Sequence, residues 1–331
     1  MALLQVKHLS GAEEGKTTIK DVSFTQQSFE KIAIAGETGA GKTSLLKMIG
    51  GFMQPLSGEV LLNNERVKGP DEQLIAGHKK IAYLSQHFEL RNNYRVHELL
   101  DMANLLAPAE AERIYSICRI DHLLGRWTDE LSGGEKQRIA LAKLLSTAPG
   151  LLLLDEPFSN LDMMHKQEMK NVIHELGEQM KISCILVSHD ALDILSWADT
   201  VFFMRNGAII QRGSAEELYN RPVDEYCAAL LGAFNLIDTS LIPSLQPANM
   251  EHSRPDKVQK KMFCRPEQLT TVSANEAILK GTVKKILYWG SYYTIDILVK
   301  GQLFFLQTPQ HNLSVGQQTG VEFAPGERWY L

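Results

Sequence analysis

The sequence predicts an α/β domain that carries a helical insertion and is followed by a small all-β domain with an OB-like fold. Short apolar strands alternate with helical segments, which is typical of a parallel sheet covered on both faces. One long stretch between these elements is almost wholly helical. Beyond residue 262 the pattern changes to short strands of alternating polarity, which favours a small β-barrel. The 331 residues are enough for two such domains.

The first predicted elements surround a glycine-rich segment. Residues 19–24 alternate between apolar and polar side chains, and residues 31–35 form a short apolar run, so both are predicted strands. Residues 43–50 have helical spacing and end in glycines. The glycine-rich segment between them therefore follows a strand, which we expect at the centre of the sheet, and precedes a helix.

The helical insertion and the rest of the sheet follow. Apolar residues recur at helical spacing from 94 to 145, and we expect a helical subdomain at about 87–147. Strands and helices then alternate again, with predicted elements at 151–154, 171–177, 182–188, 193–197 and 201–204.

The limits of the domains follow from breaks in these patterns. Prolines and polar residues between 243 and 261 indicate a linker. Beyond it, residues 293–299 alternate in polarity, Lys300 and Gly301 make a turn, and an apolar run returns at 303–306. We therefore expect the first domain at residues 1–235, a linker at 236–262 and the all-β domain at 263–331.

The composition excludes several classes of protein. Charged residues make up 22%, hydrophobic residues 44%, and the formal net charge is -5, which is ordinary for a soluble globular protein and gives no indication of nucleic-acid binding. The 4 cysteines form no C-x-x-C pair, which argues against a zinc site or a disulfide framework and suits a reducing cytosol. No apolar stretch is long enough for a membrane helix, and the N-terminus lacks the apolar core of a signal peptide. If this protein serves a membrane, other chains must cross it.

The glycine-rich segment matches the phosphate-binding pattern G-x-x-x-x-G-K-[ST] at every fixed position. Its residues are Gly36, Glu37, Thr38, Gly39, Ala40, Gly41, Lys42 and Thr43. The glycines let successive backbone N–H groups point at phosphate oxygens, the lysine adds positive charge, and the threonine hydroxyl can bind Mg²⁺. We include the next residue, Ser44, among the candidates for nucleotide binding. The strand before the loop and the helix after it make a chance match improbable.

Two acidic residues, Asp155 and Glu156, follow the apolar run 151–154. A buried strand of this kind delivers them to the carboxyl edge of the sheet, where open α/β sheets bind ligands. Asp155 can hold Mg²⁺ directly or through water, and Glu156 is the better candidate for polarising an attacking water. Taken alone, such a pair would be interpreted as the polar end of a strand. The phosphate-binding loop upstream makes us prefer the interpretation as functional residues.

Two further candidates follow other apolar strands. His189 comes after the strand at 182–188 and should emerge at the same edge of the sheet. A lone histidine is more often structural, but a donor beside the phosphates could contact the γ-phosphate and distinguish ATP from ADP. Gln86 follows residues 81–85 and, taken alone, would be interpreted as a surface amide.

Together these residues resemble the nucleotide-binding subunits of ABC transporters. Gly36 to Thr43 is similar to the Walker A loop, Gln86 to the Q-loop, Asp155 to the end of the Walker B strand, and Glu156 to the catalytic glutamate. The LSGGE signature is Leu131, Ser132, Gly133, Gly134 and Glu135, the segment from Ser159 to Asp162 is similar to the D-loop, and His189 to the switch histidine. All of them occur in the order that the family shows.

The resemblance implies a P-loop NTPase fold, ATP and Mg²⁺ as cofactors, and a homodimer. In such a dimer, Ser132 and Gly134 of one subunit close head to tail on ATP held by the other, and hydrolysis reopens the pair. Gln86 would link Mg²⁺ and water to the helical insertion, which would receive transmembrane permease subunits. The protein would then lie peripherally on the cytoplasmic face of the membrane, within a complex that can include an external solute-binding protein.

The resemblance extends to the C-terminal part of the chain. Residues 213–219, 221–222 and 231–235 resemble the exit segment of importer ATPases, and Arg265-Pro-Glu resembles the motif that opens a TOBE domain. TOBE domains are similar to OB folds and occur in importers for polyamines, iron(III), sulfate, molybdate, thiamine and sugars. The likeness therefore implies the ATP-hydrolysing subunit of an importer.

Two departures from the family limit the analogy. Residues 11–15 contain no aromatic residue where family members usually place one to stack on adenine. Unless His8 or the partner subunit supplies that stack, we expect weak discrimination between ATP and GTP in competition binding. The helical insertion and the C-terminal domain are also short for sugar or polyamine importers, so no particular solute follows.

Two alternatives stay open on the sequence. An exporter could use the same ATPase, with the C-terminal domain as a ligand-sensing brake, although the OB-like domain favours import by analogy. A soluble ABC ATPase acting on nucleic acid or ribosomes usually has two cassettes or a long coiled coil. This chain has one phosphate-binding loop and no extended heptads.

Overall fold

The computed structural model describes residues 2–13, 15–86, 90–159, 161–180, 182–242, 261–274, 277 and 279–331. The chain forms two compact units, Met1–Ala215 and Glu216–Leu331. Most of the predicted linker, residues 243–260, lies outside the described residues, as do residues 87–89 at the predicted start of the helical subdomain.

Ten strands and six helices build the described part of the first unit. The strands are β1 (Ala2–Glu13), β2 (Lys16–Gln27), β3 (Lys31–Ala35), β4 (Ser57–Leu62), β5 (Glu65–Arg66), β6 (Ile81–Leu84), β7 (Leu151–Asp155), β8 (Ser183–Val187), β9 (Thr200–Arg205) and β10 (Ala208–Gly213). The helices are α1 (Lys42–Ile49), α2 (Val96–Asp101), α3 (Pro108–Ile117), α4 (Gly133–Leu145), α5 (Met163–Gln179) and α6 (Ala191–Leu195).

A six-stranded sheet in the order β10-β9-β3-β8-β7-β6 forms the centre of this unit. All neighbouring strands run parallel except β10, which pairs with β9 in the antiparallel sense at one edge. Every residue of β7 and β8 is buried, which explains why these strands appear in the sequence as continuous apolar runs. The predicted parallel sheet is confirmed, and the carboxyl ends of β3, β6, β7 and β8 lie along one edge of it.

A second, antiparallel sheet has the strand order β2-β1-β4-β5. The sequence analysis predicted only a part of β2 and did not detect this sheet. Strand β1 pairs with β2 through four irregularities in register, and each one interrupts the alternation of side chains. The period of two that identifies a half-buried strand is therefore absent from the first residues of the chain.

The helical insertion consists of α2, α3 and α4, together with 3-10 turns at Asp121–Leu123 and Thr128–Glu130. These helices share a hydrophobic core with one face of α5. Helix α5 begins eight residues before the predicted segment 171–177. Its first turns hold two exposed methionines, Met163 and Met164, among polar residues, and its first buried apolar residue is Met169. No helix in the described ranges is long and apolar enough to cross a membrane.

The second unit is mostly β structure, with helix α7 (Ala215–Asn220) beginning at the boundary between the units. Its other elements are α8 (Glu225–Leu230), β11 (Asn235–Ile237), β12 (Met262–Cys264), β13 (Leu269–Val272), β14 (Leu279–Tyr288), β15 (Tyr293–Val299), β16 (Gln302–Thr308), β17 (Gln318–Phe323) and β18 (Trp329–Tyr330). Five strands form an antiparallel sheet in the order β13-β17-β14-β15-β16, and three form a sheet in the order β11-β12-β18. The predicted small all-β fold is confirmed.

A buried arginine, Arg265, holds the start of this unit against its strands. Its side chain is 0% exposed and lies 4.1 Å from the ring centroid of Tyr219. The guanidinium group donates to the carbonyl oxygens of Tyr219 (3.0 Å), Ala228 (3.0 Å), Gly232 (3.1 Å) and Ala233 (3.1 Å). These bonds explain why residues 216–235 group with the second unit, whereas the sequence analysis placed them at the end of the first domain.

Candidate functional site

The phosphate-binding loop joins β3 to α1. Gly41, the residue before α1, has φ 102°, and a Cβ atom there would lie 2.4 Å from the carbonyl oxygen of Thr18, so both conformation and space require glycine. Lys42 Nζ donates to the carbonyl oxygens of Gly36 at 2.7 Å and Glu37 at 3.0 Å. Burial lowers the pKa of Lys42. The ammonium group is thus held against the loop by backbone oxygens.

Asp155 ends β7 with only 2% of its surface exposed. The Thr43 hydroxyl donates to Asp155 Oδ1 at 3.1 Å, and the Tyr83 hydroxyl donates to Oδ2 at 2.8 Å. Burial raises the pKa of Asp155, although these two hydrogen bonds oppose the shift. The carboxylate therefore lies between two neutral hydroxyl groups. The sequence analysis missed Tyr83, and its place on β6, next to β7, was the only available signal.

Glu156 adopts the left-handed backbone region with φ 48°, which costs energy for a residue with a side chain. Its backbone N–H donates to the carbonyl of Val187 at 3.0 Å. Glu156 Oε2 accepts from the Ser159 hydroxyl at 2.9 Å and lies 3.0 Å from Nδ1 of His189. The imidazole is 69% exposed, so it orients the carboxylate from the solvent side. Ser159 appeared in the sequence analysis only as part of the D-loop.

One cavity of about 570 Å³ brings together six of the predicted nucleotide-binding residues and two of the predicted catalytic residues. It is lined by Thr38, Gly39, Gly41, Lys42, Thr43, Ser44, Gln86 and Glu156, and also by Glu13, Lys16, Thr17, Thr18, Lys20, Asn206 and Gly207. A second cavity of about 370 Å³ contains His189 and is also lined by Gln86 and Glu156. These two residues therefore lie between the phosphate-binding loop and the histidine.

The signature residues lie elsewhere in the same chain, at the start of α4. The Ser132 hydroxyl accepts from the backbone N–H of Glu135 at 3.3 Å, and the Glu135 carboxylate accepts from the N–H of Ser132 at 2.8 Å. This reciprocal arrangement is a capping box. Asp162 caps α5 by accepting from the backbone N–H of His165 at 3.0 Å. Neither cavity is lined by Ser132, Gly133, Gly134, Glu135 or Asp162.

We expect Gly134→Ala to destabilise the nucleotide-free protein. A Cβ atom at Gly134 would lie 2.5 Å from the imidazole of His165, and that ring is held by Asp162, with 2.7 Å between Nδ1 and Oδ2. Such overpacking lowers the free energy of unfolding by about 1–3 kcal/mol. Denaturant unfolding measures the loss. Gly133→Ala is the matched control, because a Cβ atom there meets nothing within 4 Å. Equal stabilities of the two variants would contradict the packing argument.

We expect Asp155→Asn to stabilise the nucleotide-free protein at neutral pH. Because the pKa of Asp155 is raised in the folded state, the ionised carboxylate disfavours folding at pH values above that pKa. The amide removes this cost, raising the melting temperature by about 2–4 °C per kcal/mol gained. The gain should shrink as pH falls through the pKa of Asp155, since the wild-type carboxyl is then protonated. Thermal unfolding at several pH values tests this, with the exposed Asp71→Asn as control. A lower melting temperature than wild type at neutral pH would contradict it.

Comparison with known proteins identifies two domains in the chain. The family model described as ABC transporter matches residues 19–159, and the model described as TOBE domain matches residues 262–331. The chain therefore joins an ABC transporter domain to a TOBE domain. It is an ABC ATPase with a C-terminal TOBE domain, and the ABC ATPase domain implies that the chain binds nucleotide.

Two curated relatives match most of this ABC ATPase. The sulfate/thiosulfate import ATP-binding protein CysA of Synechocystis sp. is 28% identical over 291 residues, which cover 86% of this chain and 81% of the relative. The spermidine/putrescine import ATP-binding protein PotA of Clostridioides difficile is 27% identical over 333 residues, which cover 98% and 96%.

Solved structures agree with the fold of this ABC ATPase. The structure of cbiO1 from Clostridium perfringens, part of the ABC transporter complex cbiONQ, has a TM-score of 0.57 and 25% identity, and the match covers 66% of this chain and 90% of that one. An ATP binding subunit of an ABC transporter has a TM-score of 0.59 and 26% identity, with 69% and 99% covered.

Proposed function

We propose that this ABC ATPase energises an importer by closing as a head-to-tail homodimer around two ATP molecules and reopening after hydrolysis. One observation carries this proposal. The catalytic candidates lie beside the phosphate-binding loop, whereas the signature residues from Ser132 to Glu135 line neither cavity of their own chain. A second copy that presents its α4 N-terminus to the loop would supply N–H groups and helix dipole to the phosphates.

Mg²⁺ fits the pair formed by Thr43 and Asp155. Among the described residues, no group of three or more His, Cys, Asp or Glu side chains could hold a metal ion. Magnesium in nucleotide sites needs fewer protein ligands, because it binds one or two oxygens of the protein, the phosphates and water. The buried carboxylate of Asp155 has only neutral hydrogen-bond partners, and a cation would compensate its charge. Bound there, Mg²⁺ would neutralise charge on the phosphates, and Gln86 is the third residue proposed to hold it.

The side chains around Glu156 support hydrolysis by an activated water. Ser159 and His189 both contact Oε2, which leaves Oε1 to accept a hydrogen bond from water. Positioning of this kind is the main contribution that a protein makes to phosphoryl transfer. The exposed imidazole of His189 would in addition donate to the γ-phosphate, so that the loss of that phosphate changes the contacts of Glu156.

The relatives support a proposal for the partners and the location. Both curated relatives are named as import ATP-binding proteins, and they match 86% and 98% of this chain. We therefore propose transmembrane permease subunits as partners, attachment to the cytoplasmic face of the membrane, and an external solute-binding protein in the same complex. One relative is named for an oxyanion and the other for polyamines. Because these solutes have opposite charge, we assign no solute to this chain.

Affinity purification from native membranes tests this proposal. Tagged Glu156→Gln protein, solubilised in mild detergent with ATP and Mg²⁺, should retain a polytopic membrane protein, and a co-purifying solute-binding protein would indicate import. Tagged Lys42→Ala protein under the same conditions serves as the control for ATP-dependent closure. Recovery of ribosomes or nucleic acid in place of a membrane protein would overturn the transport function.

A further inference from the structure

The cavity beside the phosphate-binding loop, where the proposed function places the nucleotide, has a polar wall outside the loop itself. That wall is lined by Glu13, Lys16, Thr17, Thr18 and Lys20, from the paired ends of β1 and β2. No aromatic side chain is among the described residues that line the cavity. His8 is not one of these residues, and its Nδ1 lies 2.8 Å from Asp21 Oδ1. Within this chain, a bound base therefore meets hydrogen-bonding groups where stacking would otherwise hold it.

Glu13 is the acidic member of this wall and lies close to the phosphate end. It is the last residue of β1 and pairs with Lys16 of β2. The hydroxyl of Ser44, in the first turn of α1, donates to Glu13 Oε2 at 3.4 Å. Phosphates bound at the N-terminus of α1 would repel this carboxylate. Because Glu13 is exposed, the carboxylate can turn away from Ser44 and towards the nucleoside.

A carboxylate at this place favours one purine over the other. An ionised carboxylate is an acceptor only and binds two parallel donors well. Guanine presents its N1–H and its N2 amino group side by side, whereas adenine presents one amino group beside the N1 acceptor. The acceptor edge of adenine would repel Glu13. Guanine also carries the O6 acceptor, for which Lys16 and Lys20 are donors on the same wall.

We propose that Glu13 is a specificity-determining residue that recognises the base, and that this ATPase binds GTP at least as tightly as ATP. The proposal rests on the proposed nucleotide site. It replaces the expected weak discrimination between ATP and GTP with a preference that the side chain of Glu13 sets.

Titration calorimetry of the full-length protein with ATP, GTP and ITP in Mg²⁺ tests the proposal. GTP should bind at least as tightly as ATP, and ITP, which lacks the N2 amino group, should bind more weakly than GTP. Glu13→Ala should weaken GTP binding about tenfold, the usual effect of losing a hydrogen bond to a charged group, and leave ATP binding unchanged or tighter. Glu13→Trp should tighten both nucleotides about tenfold or more, because stacking does not distinguish the bases. Glu65→Ala, an exposed carboxylate on the same antiparallel sheet and outside the cavity, should change nothing.

Two results would overturn the proposal while leaving the ATPase function intact. One is wild-type protein that binds ATP much more tightly than GTP, and the other is a ratio of the two affinities that Glu13→Ala does not change. If wild-type protein binds none of the three nucleotides in the presence of Mg²⁺, the nucleotide site itself is wrong and both proposals fail.

Discussion

Replacing Glu156 with Gln should reduce ATP turnover by at least about 100-fold while nucleotide affinity stays close to wild type. The amide keeps the size of the side chain and can still accept from Ser159 and His189, the two partners of Oε2. It cannot accept the proton that an attacking water must release. ATP should therefore remain bound, and the closed dimer should accumulate. Steady-state hydrolysis, ATP titration and light scattering with ATP measure the three effects.

The control for this variant is Glu112→Gln, which makes the same change at an exposed position on α3. It should hydrolyse ATP at the wild-type rate and dissociate normally. Near-normal turnover by Glu156→Gln would remove Glu156 from the catalytic role.

Replacing Lys42 with Ala should weaken the binding of ATP about 10- to 100-fold, the usual loss for one or two hydrogen bonds to a charged group. The ammonium group already has its position without nucleotide, because the carbonyls of Gly36 and Glu37 hold it at the loop. ATP binding therefore requires little ordering of the Lys42 side chain. The affinity lost in Lys42→Ala should then come almost entirely from the missing interaction with phosphate. Titration calorimetry with ATP and with ADP measures the change.

Lys7→Ala removes a lysine that pairs with Glu59 on the antiparallel sheet, away from the cavity, and should leave affinity unchanged. If Lys42→Ala bound ATP as tightly as wild type, the backbone N–H groups of the loop would account for binding alone. The role proposed for the lysine would then be wrong.

The sequence predicted the central sheet better than its surroundings. Strands such as β7 and β8 are buried on both faces, so each of them appears in the sequence as a run of consecutive buried residues. Such a run can be recognised without knowing the rest of the fold. The start of α5 and most of the antiparallel sheet were missed for different reasons. The first turns of α5 have no buried apolar residue before Met169, and the alternation of β1 is broken by its irregular pairing with β2.

The residues of the candidate site also form two groups, those that the sequence could predict and those that only the folded chain brings together. Gly36 to Thr43 are consecutive, so their spacing alone predicts a phosphate-binding loop. The contacts between Tyr83 and Asp155 and between Glu13 and Ser44 join residues from separate strands and helices. No spacing in the sequence measures those distances, because they depend on the order of strands and on the side-chain rotamers that packing selects.

The sequence by itself thus determined the fold class, the family and the identity of the phosphate-binding and signature motifs, because each depends on residues that are neighbours in the chain. The tertiary structure alone decided that the signature residues do not line the cavity beside the phosphate-binding loop of their own chain, and that the carboxylate of Glu13 does line it. It also decided that Arg265 binds residues 219–233 into the C-terminal unit. The physical reason is that burial and hydrogen bonding connect groups far apart in sequence, and only the folded chain brings those groups within bonding distance.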